Sequence, residues 1–214
     1  MAKIEAFEAY RYNPDVVEDL AKVVCPPYDV IDAQGQDAYY QKNPYNTIRL
    51  ILGKEMAGDN EAENKYTRAA GYLQEWQRRG ILIKESAPAL YFYEQAFTVA
   101  GARHTRLGFL GLMRLDDEGQ DRSIHPHEHT HIAPKEDRLR LVTSVEANLS
   151  PIFTIFSDPK AEIKSLFTKS VKKEAPLFDI ADEKGGEDRL WRVTDKDLIE
   201  KIKAFISNRE LFIA

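Results

Sequence analysis

A chain of 214 residues with 43% hydrophobic and 30% charged side chains has the composition of an ordinary globular protein, which excludes disordered and fibrous classes. The net charge of -5, with both signs interspersed, gives no support to a nucleic-acid partner or to adsorption on acidic membranes. No stretch reaches the roughly 18 to 20 apolar residues of a membrane span, and the opening Met1-Ala2-Lys3-Ile4-Glu5 lacks the apolar run of a secretory signal. With a lone Cys25 unable to form an internal disulfide, the expected compartment is the reducing cytoplasm.

In chain order, Cys25-Pro26-Pro27-Tyr28-Asp29-Val30-Ile31 opens with a stiff Pro-Pro turn and then offers an aromatic ring and a carboxylate. Asp59 or Asn60 is expected to cap a helix running to about Arg79, with Ala62, Tyr66, Ala69, Leu73 and Trp76 spaced by three and four and Gly80 as its stop. Leu90 to Tyr93 and Leu107 to Leu112 read as strands of a hairpin around Ala100-Gly101.

Four of the five histidines then fall within seven residues, at His125, His127, His129 and His131, with Glu128 among them. Pro134 is placed to open a helix over Lys135 to Asn148, which Ser150-Pro151 ends, and Ile152 to Phe156 follows as a short strand. A charged helix over about Lys160 to Lys172 leads to a second hairpin, Leu177 to Ala181 and Leu190 to Val193, around Gly185-Gly186. Thr194 and Asp197 are spaced as a capping box before a helix ending near Asn208, and Leu211-Phe212-Ile213-Ala214 reads as a strand. Either that strand is an edge that finishes the fold, or the chain continues in a longer form. Residues 1–214 are expected to form one α+β domain, a mixed or antiparallel sheet with flanking helices.

The histidine cluster supports three readings. His127-Glu128-His129-Thr130-His131 satisfies the His-Glu-x-x-His zinc pattern, which needs a helix to bring both histidines to one face, and Pro126 and Pro134 leave such a helix little room. On an extended segment the histidines would project to one side, and His125 and His129 could hold a transition metal. Taken with Thr130, Lys135, Asp137 and Arg138, the cluster instead suits a phosphorylated or nucleotide ligand: cations for phosphate, a helix N-terminus, and a carboxylate for Mg²⁺ or proton transfer. A polar loop tied by weak charge pairs is the plainer reading.

Read together, Cys25 to Ile31, Asn43-Pro44-Tyr45, His127-Glu128-His129-Thr130, Pro134 to Arg138 and Asn148-Leu149-Ser150-Pro151-Ile152-Phe153 resemble, in order and over essentially the whole chain, the bacterial and archaeal family called domain of unknown function 1015. In that family only the His-Glu-x-Thr part of the cluster is the usual pattern, which argues against zinc. Members are longer, and the strand resembling Leu211 to Ala214 runs into an Asp-Gly-His-His-Arg-Tyr motif, so residues 1–214 would be the N-terminal portion of a longer architecture. That motif is similar to the Gly-x-x-Arg loop of the ParB and sulfiredoxin superfamily, which implies an incomplete core of that kind.

The resemblance implies a domain that binds a nucleotide or phosphorylated small metabolite, with Mg²⁺, and acts as a phosphotransferase when complete. Lys135 and Arg138 would hold phosphate, Glu128 or Asp137 would bind Mg²⁺ or act as base, His127 would move a proton, and Tyr28, Asp29 and Thr130 would line the ligand. The alternative is a non-catalytic metal-binding or protein-interaction module built on His125 to His131.

Overall fold

A computed structural model describes residues 2–115, 123–126, 132–181 and 185–214. Its elements in chain order are β1 (Ile4–Glu5), β2 (Tyr10–Tyr12), α1 (Ala33–Lys42), α2 (Ile48–Ile51), α3 (Lys65–Arg78), β3 (Leu82–Lys84), β4 (Leu90–Val99), β5 (Ala102–Leu110), β6 (Leu112–Met113), β7 (Ile124–His125), α4 (Ile132–Val145), β8 (Thr154–Ile155), α5 (Glu162–Leu166), β9 (Phe178–Ala181), β10 (Glu187–Val193), α6 (Lys196–Ser207) and β11 (Leu211–Ile213). The class is α+β, with antiparallel and mixed sheets. Among the described residues no helix is long and apolar enough to cross a membrane.

The chain divides into two compact units, one of Met1–Ala9, Glu85–Glu128 and Ile152–Ala214, the other of Tyr10–Lys84 and His129–Pro151. We call them the sheet unit and the helical unit. In the sheet unit the strands run β5-β4-β10-β9, all antiparallel. Alternation along β4 and β10 sends Phe92, Trp191 and Val193 to one face, where they pack with α6 residues Ile199, Ile202 and Ile206. The rings of Phe109 and Phe167 lie 5.9 and 5.2 Å from that of Phe92. The β4-β5 turn falls at Ala100 and Gly101, both at positive φ, which matches the twist of a two-residue hairpin.

A second sheet of the same unit has the order β7-β11-β8. Here β11 is the central strand, parallel to β7 and antiparallel to β8, so the expectation of an edge strand is corrected. Leu211 is buried, which explains why an apolar segment stands there.

In the helical unit, Ala69, Leu73 and Trp76 of α3 form the core with Leu50 and Ile51 of α2 and Leu141 and Val145 of α4. Asn46 is fully buried and wholly satisfied: its Nδ2 donates to the carbonyls of Lys22 and Val24, and its Oδ1 accepts from Ile48 N–H. It fastens the Cys25 segment to the start of α2.

Several boundaries move. The cap of α3 is Asn64 with Thr67 in a reciprocal capping box; Asn60 turns the preceding loop and Asp59 binds Arg68. Helix α4 starts at Ile132, two residues before Pro134, a first-turn position where the N–H that proline lacks would have no intrahelical acceptor. It stops at Val145, with Glu146 at φ 52°. Asp195, not Thr194, caps α6. The strand expected over residues 152–156 is the two-residue β8, and the helix expected over 160–172 is α5 followed by a π-helical turn, Phe167–Val171.

Candidate functional site

Of the residues singled out by sequence, His127, Glu128, His129, Thr130 and His131 lie outside the described residues. Among the described residues no three His, Cys, Asp or Glu side chains gather to hold a metal ion. His125, at the end of β7, stacks on Phe212 with ring centroids 5.0 Å apart, and its Nε2 lies 3.7 Å from Glu210 Oε1. Nε2 is buried and has no hydrogen-bond partner among the described residues.

The remaining candidates belong to the helical unit. Pro26 and Pro27 lead into a 3₁₀ turn over Tyr28–Val30, which leaves Asp29 exposed and turns the Tyr28 ring towards α4. The Arg138 guanidinium lies over that ring, 3.9 Å from its centroid. Lys135 is exposed on the preceding turn of α4.

Arg138 is fixed from further sides. Its Nη1 donates to the Ile51 carbonyl at 2.8 Å, at the end of α2, where helix carbonyls lack intrahelical donors. Its Nε donates to Asp137 Oδ2 at 3.0 Å, and Nη2 donates to the same oxygen. Nε, Nη1 and Nη2 each commit one N–H in this way, so each terminal nitrogen keeps one more. Two terminal N–H groups that point outward together form the fork that grips a carboxylate or phosphate by two parallel hydrogen bonds.

Asp137 gathers the opposite side of the cluster. Its Oδ1 accepts from the Tyr66 hydroxyl at 2.7 Å and lies 3.0 Å from Lys65 Nζ. Burial works against this carboxyl's ionisation, but hydrogen bonds from Arg138, Tyr66 and Lys65 outweigh it and hold the group at about 2. Desolvation, then the hydrogen bond to Asp137, pushes the Tyr66 phenol above its ordinary value.

These groups border a small open pocket between Ile51, Leu52 and Gly53, the Lys65-Tyr66 start of α3, and Arg138 and Leu141 of α4. Its empty space is about 210 Å³. That space includes open solvent, and the enclosed cavity is about 10 Å³, room for about one water molecule, so a ligand would rest only its charged end here with the remainder outside. A side chain at Gly53 would meet the Lys65 carbonyl oxygen at 3.1 Å, so the close passage of α3 past this loop requires glycine's small size.

Sequence reasoning missed Lys65 and read Tyr66 only as part of an apolar stripe. Nothing local to Lys65-Tyr66 signals a partner 71 residues away at Asp137. Cys25 is a half-buried thiol whose Sγ lies 3.3 Å from Thr47 Oγ1 and whose ionisation burial opposes.

A model of the family described as protein of unknown function (DUF1015) matches residues 4–214. No curated protein matches the chain, and no solved structure does.

Proposed function

From the premise that the chain belongs to that family, we propose that it binds a phosphorylated small molecule or nucleotide through one terminal oxyanion group, and that a longer form transfers phosphoryl groups. The observation that carries this reading is the Arg138 guanidinium: stacked on Tyr28, anchored to the Ile51 carbonyl and Asp137, and left with one N–H on each terminal nitrogen beside a pocket. Immobilising the fork beforehand removes most of the ordering cost of gripping an anion. Lys135 adds a mobile positive charge one turn earlier, and Asp29 and Thr130 contribute hydrogen-bonding capacity to the ligand's polar portion. In the transfer reaction His127 moves a proton, and Glu128 supplies the oxygen ligand that Mg²⁺ prefers.

The likeness to the ParB and sulfiredoxin core draws support from the sheet unit. Because β7 and β11 are parallel, with His125 opposite Phe212, the segment entering His127-Glu128 and the segment leaving Ile213 depart from the same edge of the sheet. In α/β sheets ligands bind off the carboxyl ends of parallel strands.

The test is calorimetric titration of the chain with Mg·ATP, ADP and inorganic phosphate, beside Arg138→Lys and Lys135→Ala. The expected result is saturable binding of at least one of them, weakened by about tenfold in Arg138→Lys, where charge is kept but fork and stacking are lost. Absence of binding at millimolar concentration, or binding indifferent to Arg138→Lys, refutes the reading. Tight Zn²⁺ or Ni²⁺ binding abolished by replacing His125 and His129, without any phosphate binding, would establish the metal-binding module instead.

A further inference from the structure

We infer that Asp137 is a positioning residue for Arg138, neither a metal ligand nor a general base; the inference rests on the oxyanion site proposed above and assigns the carboxylate's part in it. Both its oxygens are committed. Oδ1 faces the Tyr66 hydroxyl at 2.7 Å and Lys65 Nζ at 3.0 Å, and Oδ2 faces Nε of Arg138 at 3.0 Å together with Nη2. Those donors fill the lone-pair directions a carboxylate offers, so Mg²⁺ or a substrate proton would have to displace one of them. Its low affinity for protons agrees, since an efficient base titrates near the working pH.

The local geometry shows why such a device is needed. Neighbouring side chains on a helix point about 100° apart and do not ordinarily meet. Asp137 and Arg138 nevertheless pair, because Asp137 is tied to Tyr66 and Lys65 at the start of α3, and Lys65 Nζ is itself held by Glu55 at 3.1 Å. The carboxylate therefore transmits the placement of α3 to the guanidinium on α4. Asp137 takes the Nε side of Arg138 and Ile51 one N–H of Nη1, which among the described residues leaves one N–H on each terminal nitrogen for a ligand.

Charge balance narrows the ligand. Lys65 and Arg138 are offset by Asp137 and Glu55, so the cluster presents a directional pair of hydrogen bonds with little net positive field. Such a site selects for one oxyanion group that accepts two parallel hydrogen bonds, a terminal phosphoryl or a carboxylate, in preference to a polyphosphate chain that needs cations along its length.

The experiment follows the Arg138 Nε–H by ¹⁵N NMR in the full 214-residue chain, assigned by its disappearance in Arg138→Lys, together with titrations of inorganic phosphate and Mg²⁺. In the wild type this proton is expected to exchange slowly. Asp137→Asn should speed its exchange by about tenfold or more and raise the phosphate Kd by about tenfold, without altering any Mg²⁺ dependence. In Asp137→Ala, added formate should restore the slow signal by filling the cradle of Lys65, Tyr66 and Arg138. A slow Arg138 signal and unchanged phosphate binding in Asp137→Asn would overturn the positioning role, as would selective loss of Mg²⁺ dependence in that variant. If the wild type binds no phosphate compound while the Arg138 signal still depends on Asp137, the functional reading fails and the positioning role stands. Circular dichroism of each variant separates these results from unfolding.

Discussion

Arg138 in the helical unit and Arg189 in the sheet unit are both held by carboxylates, yet they are left in opposite states. Arg189 directs Nε to Asp179 at 2.9 Å, Nη2 to Glu187 at 2.8 Å and Nη1 towards Glu94 at 3.5 Å, while Lys172 completes Glu94 at 2.7 Å. Glu94 and Asp179 are its direct cross-strand partners on β4 and β9. Each nitrogen of that guanidinium answers a carboxylate, so the cluster closes on itself and serves the sheet. Arg138 answers one carboxylate and one carbonyl, stacks on a ring, and keeps two N–H groups beside a pocket. Both guanidiniums engage all three nitrogens, so the contrast lies in charge and access: a carboxylate faces every nitrogen of Arg189, whereas Arg138 meets one carboxylate and borders an open hollow.

The comparison can be broken first at the level of the cores. Phe92→Ala should destabilise the sheet unit by about 3–5 kcal/mol, since the ring is wholly buried between Phe109 and Phe167. Urea unfolding would show it, and an effect below about 1 kcal/mol would mean that this core is looser than its contacts imply. In the helical unit Asn46→Ala should lose about 1–3 kcal/mol in the same assay, because two carbonyls and one N–H lose a buried partner.

A sharper contrast comes from the two arginines. Arg138→Lys should weaken binding of phosphate compounds by about tenfold, and Arg189→Lys should leave that affinity alone. Equal effects from the two would dissolve the distinction between them.

The smallest effect is one of pH. Asp137 titrates at about 2 in the folded chain, below the ordinary carboxylate range, so protons bind the unfolded state first as the solution is acidified. Its stabilisation is present above about pH 4–5 and is lost as pH falls towards 2. After allowance for solvent screening it amounts to about 1 kcal/mol. The difference in stability between wild type and Asp137→Asn should therefore shrink across that window, and a constant difference down to pH 2 would contradict it.

How far the sequence could be read depended on the range of each interaction. The hairpins around Ala100-Gly101 and Gly185 were legible because alternation and turn residues act over a few positions. Helices α3, α4 and α6 were legible from their apolar spacing, though the starts of α3 and α6 moved to where Asn64 and Asp195 cap the free N–H groups. Helix α1, Ala-Gln-Gly-Gln-Asp-Ala-Tyr-Tyr-Gln-Lys, has no buried residue and so offered no apolar stripe to find. The four-residue α2 is too short for periodicity to register, and its burial comes from packing against α3.

By itself the sequence determined the α+β class, the family and most of the elements, and it singled out Tyr28, Asp137 and Arg138 as candidates for one site. Tertiary structure alone decided that Lys65 and Tyr66 belong with Asp137, that Arg138 stacks on Tyr28 and is tied to the Ile51 carbonyl, and that β11 lies at the centre of its sheet. The reason is physical. Propensity, capping and periodicity act within a few residues along the chain, whereas a carboxylate's surroundings are set by whichever distant segments the apolar cores bring against it.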